Sequence, residues 1–171
     1  STSALLESLW KGSRLVNVPL HATIEALGGL SAVIIALFLL QRQDEAYSAK
    51  RFPLAMGFLG MGLLDTFHAM TAPGHGLVLL HSVASLVGGS GFALVWLPEG
   101  WIRHRTIHQR WLPRSIAIGA ISFGTWTLVA RQTLPVMTRG DEFTATAAGL
   151  NLLAGTLFIG GAARLLIDFH R

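Results

Sequence analysis

Two short words in the sequence combine imidazole and carboxylate at helical spacing. HATIE sets His21 and Glu25 four residues apart, and DTFH sets Asp65 and His68 three apart. On an α-helix either spacing puts both side chains on one face, about one turn apart in depth. Met61 extends the Asp65 stripe by four residues, and His81 lies six residues beyond His75 in the apolar run that follows. Carboxylates and imidazoles are the oxygen and nitrogen donors that zinc, copper or iron accept, and Met61 and Met70 add thioethers suited to Cu(I). Three other chemistries fit the same residues. A structural or proton-sensing network would pair Asp65 or Glu25 with protonated His, and a b-type haem would take His68 and His81 as axial ligands. An intramembrane metal-dependent hydrolase would hold zinc on three His and use Glu25 or Asp65 as general base. Against the hydrolase, the chain has no HExxH pair and no serine-nucleophile signature.

The elements that carry these residues are apolar runs of membrane-crossing length. Hydrophobic residues make up 51% of the 171 positions and charged residues only 13%, about half the charged share of a soluble domain. The expected fold is all-α, an integral membrane bundle of about five transmembrane helices. Spans are expected at about 19–40, 52–70, 75–97, 115–130 and 144–167, preceded by a short interfacial helix over 1–16. The turn TAPG between the second and third spans is so short that those helices must be antiparallel neighbours. With a rise of about 1.5 Å per residue, Glu25, Asp65 and His81 then lie roughly 9 Å below the same ends of their helices, with His21 and His68 nearer the surface. An ionisable residue within a span costs about 2.5–3.5 kcal/mol on insertion scales, so five in one layer need a common partner. A bound cation supplies one.

Other polar residues have plainer expected roles. His75 sits in the turn APGHG, where an interfacial position is expected, and Met137 in LPVMTRG reads as an interfacial anchor that could also cap the site. His104, His108 and His170 lie among arginines and are expected at the headgroups, while Ser85 and Asn151 suit interhelical hydrogen bonds. Gly-rich stretches in four of the spans allow close packing within the bundle or across a homodimer.

The net charge of +4 comes from short basic stretches between apolar runs, which suits topology and not nucleic-acid binding. Arg42, Lys50 and Arg51 follow the first span, Arg103, Arg105, Arg110 and Arg114 follow the third, and Arg164 and Arg171 end the chain. By the positive-inside rule these face the cytoplasm, with the N-terminus outside. Cysteine is absent, which removes disulfides and thiolate metal sites.

The segments MGFLGMGLLDTFHAM and HATIE resemble the bacterial membrane-associated sensor domains of the MASE group, most nearly its third class. HSVASLVGG and the LPVM to FTATAAGLN region extend the likeness over most of the chain from about residue 17. The resemblance implies a non-enzymatic input module in the bacterial inner membrane. It further implies a cytoplasmic output domain beyond Arg171, a histidine kinase or a cyclic-dinucleotide enzyme. The positions it carries over are His21, Glu25, Asp65, His68 and His81. The expected function is therefore sensory: a ligand, foremost a transition-metal ion, binds this outward cluster and alters helix packing, and the last span transmits the change.

Overall fold

The computed structural model describes residues 18–41, 48–98, 106–140 and 142–170. The expected interfacial helix over 1–16 lies outside these residues, as do His104 and the interspan loop holding Arg42. Five long helices occupy the described residues: α1 (Val18–Gln41), α2 (Ser48–Ala69), α3 (His75–Ala93), α4 (Thr106–Val129) and α5 (Ala145–Phe169). A 3-10 turn, Leu94–Trp96, extends α3, and a minimal hairpin of β1 (Thr138–Arg139) and β2 (Glu142–Phe143) joins α4 to α5. The all-α expectation holds. Three of the helices, α1, α5 and α3 with its 3-10 turn, are long and apolar enough to cross a membrane. The other two are as long but more polar: α2 carries Lys50, Arg51, Asp65 and His68, and α4 begins among His108, Arg110 and Arg114.

Two helix starts differ from the sequence reading. Spans are expected from about 52 and 115, yet α2 begins at Ser48 and α4 at Thr106, so Pro53 and Pro113 both lie inside helices. Both lie beyond the four N-terminal N–H groups that are unpaired in any helix, so each proline forfeits one intrahelical hydrogen bond. The hairpin was not anticipated. It turns at Gly140, whose φ of 60° suits glycine, and it pairs Thr138 with Phe143 and Arg139 with Glu142.

The order of packing explains the placement of the site. Helix α2 is central, lying against α1, α3 and α4, while α5 packs on the far side of α3. Backbone meets backbone where the small residues fall. A Cβ at Gly62 of α2 would stand 2.6 Å from the Gly29 carbonyl oxygen of α1, and one at Gly29 would stand 2.8 Å from the Gly62 carbonyl. Neither position has room for a side chain. Gly57 and Gly91 make a similar contact between α2 and α3. Three small apolar clusters fill the interior: Ala36, Ala55, Met56 and Leu59; then Leu64, Leu80, Ala84 and Ala120; then Leu79, Met137 and Ala147. By contrast Leu20, Ile24, Leu27 and Phe38 of α1 and Leu152, Ile159 and Leu166 of α5 are exposed. Glycines at the closest helix contacts and large aliphatics on the outer faces of α1 and α5 suit a lipid solvent.

The two ends of the bundle differ. One holds the N-terminal ends of α1, α3 and α5 with the hairpin. At the other, Lys50 Nζ of α2 lies 2.6 Å from Asp168 Oδ2 of α5, and Arg164 Nε lies 3.2 Å from the same oxygen. Close by, the Trp96 indole N–H donates to the Gly160 carbonyl at 2.9 Å, and the Arg164 guanidinium stands 5.2 Å from the Trp96 ring centre.

Candidate metal centre

Each of the five residues singled out by spacing reaches the same end of the bundle. His21 and Glu25 come from the first turns of α1, Asp65 and His68 from the last turns of α2, and His81 from the second turn of α3. The Gly29–Gly62 crossing makes this possible. Gly29 is four residues beyond Glu25 and Gly62 three before Asp65, so the tight approach of the two backbones holds those carboxylates about one turn above it. The Thr66 hydroxyl at the same crossing donates to the Gly62 carbonyl at 2.9 Å, folding its polarity back into its own helix.

The donors gather as two overlapping triads. Donor atoms of His21, Glu25 and His68 all lie within 4.8 Å of one another, and so do those of Glu25, Asp65 and His81. Donors around one ion at metal–ligand distances of about 2.0–2.2 Å stand no more than about 4.4 Å apart, so either triad needs only small side-chain adjustments to hold a cation. The rings of His68 and His81 are 5.3 Å apart, centre to centre, and tilted by 45°. Those of His21 and His68 are 6.0 Å apart and meet edge to face.

His68 is the most constrained member. It is 3% exposed, and its Nδ1 lies 2.9 Å from the Leu77 carbonyl oxygen of α3. A carbonyl only accepts, so Nδ1 carries the proton and donates it, which leaves the Nε2 lone pair directed away from Leu77. A backbone acceptor behind a histidine is the usual device for fixing the tautomer and ring orientation of a metal ligand. This partner has no side-chain signature and was not legible in the sequence. Glu25 and Asp65 are half-buried, while His21 and His81 are exposed, so the cluster is open at its rim and closed at His68.

The remaining candidates take other roles. His75 lies outside both triads, and its Nδ1 receives the backbone N–H groups of Met137 and Thr138, each at 3.4 Å, so it fastens the hairpin to the start of α3. Met137 is 0% exposed and packs with Leu79 and Ala147. It is a core residue and not the interfacial anchor its loop suggested, because the hairpin folds it inward. Met61 packs around Leu64 and Leu80, and its sulfur lies where a side chain on Gly88 would stand; Met70 is exposed. The grouped donors are therefore nitrogen and oxygen atoms. Comparison of the chain with family models, with curated protein sequences and with solved structures returns no match.

Proposed function

We propose that this chain is a membrane-embedded sensory input module of a bacterial signalling protein, in which a transition-metal ion binding to His21, Glu25, Asp65, His68 and His81 is the signal. The observation that carries this reading is the convergence of three imidazoles and two carboxylates from three helices, with the buried His68 oriented by the Leu77 carbonyl. A nitrogen and oxygen donor set favours zinc, copper or iron over the softer Cu(I). In this reading α2 and α4 also cross the membrane, their polar residues covered by neighbours or lying near the basic end. The basic end faces the cytoplasm, and the output domain follows Arg171.

The exposed His21 and His81 support reversible occupancy, since a ligand can arrive and leave from the rim. The ion must bind two helix arrangements with different affinity, because equal binding would shift nothing. Metal bound between α1, α2 and α3 favours whichever arrangement brings its donors nearest. Helix α5 then moves through its contact with α3. Glu25 lies within reach of both His68 and His81, so the space a porphyrin would need between two axial imidazoles already holds a carboxylate, which favours a bare ion over haem.

The test is a metal inventory of detergent-purified protein by plasma mass spectrometry, beside an optical spectrum and a paired Asp65→Ala, His81→Ala control. Bound metal in at least one equivalent that falls in the control is the expected result. Absence of metal after loading with copper, zinc and iron would leave a proton- or small-molecule-sensing network. A Soret band would assign haem. For the sensory half, replacing His21, Asp65 and His81 together in the full-length protein is expected to abolish its response to metal; an unchanged response would reject the cluster as the sensor.

A further inference from the structure

We infer that the cluster holds two metal ions, with the Glu25 carboxylate bridging them; this rests on the metal-binding reading above and specifies its stoichiometry. The five donors form two sets of three that share Glu25: His21 and His68 on one side, Asp65 and His81 on the other. Five ligands around one ion would all have to lie within about 4.4 Å of one another, whereas here the mutual approach holds within each triad. A carboxylate has two oxygens, one for each ion, and carboxylate-linked metal pairs stand about 3.5–4 Å apart, a separation comparable with the reach of either triad.

Charge points the same way. Glu25 and Asp65 bring two carboxylates within 4.8 Å of each other, and His68 donates its one available proton to Leu77 and not to either of them. Cations on both sides of Glu25 relieve that repulsion, and three imidazoles complete the two sets without adding negative charge. Each ion then has three protein donors and at least one position left for water or an exchangeable ligand. The two positions are unequal. The first contains the buried His68, while in the second the histidine is the exposed His81, so the first fills before the second.

The experiment is a titration of metal-free, detergent-solubilised protein with Cu(II), read by equilibrium dialysis and electron paramagnetic resonance, with circular dichroism on every variant as the check on folding. The native protein is expected to bind two equivalents, and the signal per copper should fall as the second enters, because two spins joined by a carboxylate couple. His81→Ala should keep one equivalent at full signal intensity, and His21→Ala should likewise lose only one. Glu25→Gln should abolish the coupling. One equivalent in the native protein, lost in both single-histidine variants, would overturn the paired site while leaving the metal-binding reading intact. Two equivalents at full uncoupled intensity would overturn the bridge. No copper bound at all would remove both the inference and the reading beneath it.

Discussion

His68 is buried with its Nδ1 held by the Leu77 carbonyl, the orientation a metal ligand needs. Replacing it with Ala should remove a candidate ligand and one of the two hydrogen bonds to the Leu77 carbonyl, the other coming from within α3, a loss of about 0.5–1.5 kcal/mol for one hydrogen bond. We therefore expect His68→Ala to lower the melting temperature of the metal-free protein and to reduce the metal it binds, whereas His81→Ala, whose side chain is exposed, should reduce binding with little effect on the metal-free melt. Acid should release the metal. Imidazole ligates only when neutral, so protons compete with the metal at each ligating histidine. Apparent affinity should therefore fall as the pH is lowered, as dialysis at a series of pH values would show. The grouping of the five candidate residues was legible in the sequence because i to i+3 and i to i+4 spacing fixes a face, and distance from a helix end fixes a depth. The Leu77 carbonyl was not, because every residue has one and only tertiary packing selects which is used.

Among the helices, the crossing of α1 and α2 positions the site, and it depends on two residues without side chains. Gly62→Val would drive a side chain into the Gly29 carbonyl, an overpacking cost of about 1–3 kcal/mol, and would spread Glu25 from Asp65. Weakened metal binding with near-normal helical content is expected from circular dichroism and dialysis. Gly28→Ala is the control, since nothing lies within 4 Å of a Cβ there, and it should leave both unchanged. The sequence made the helices legible and their starts less so. The apolar runs marked 19–40 and 144–167 within two residues of the observed ends, because α1 and α5 are apolar almost throughout. At α2 and α4 the starts fell among charges and a proline, where hydropathy loses contrast. The tie between His75 and the hairpin lay beyond reach for another reason: residues 75 and 137 are neighbours only once the bundle has formed.

For the whole molecule, the donor cluster and the Lys50–Asp168–Arg164 group stand at opposite ends of the bundle, which under the proposed function would be its receiving and delivering ends. Asp168→Asn should weaken both ion pairs while leaving metal binding unchanged, since the cluster lies at the other end; in the full-length protein it should alter output at saturating metal. Topology is checked by reporter fusions: activity of a periplasm-dependent reporter inserted at Gly140, and of a cytoplasm-dependent one after Arg171, is expected from the placement of the basic residues. The interface between α3 and α5 determines how movement at one end reaches the other. A Cβ on Gly89 would stand 2.8 Å from the Ala154 carbonyl, and one on Gly161 would stand 2.6 Å from that of Phe92. Contacts between bare backbones have no rotamers with which to absorb a displacement, so they behave as a stiff joint and not as a cushion. Under the proposed function, a small shift of α3 on metal binding would be handed to α5 at nearly full amplitude, and the glycines that look like mere space-savers would set the gain of the device.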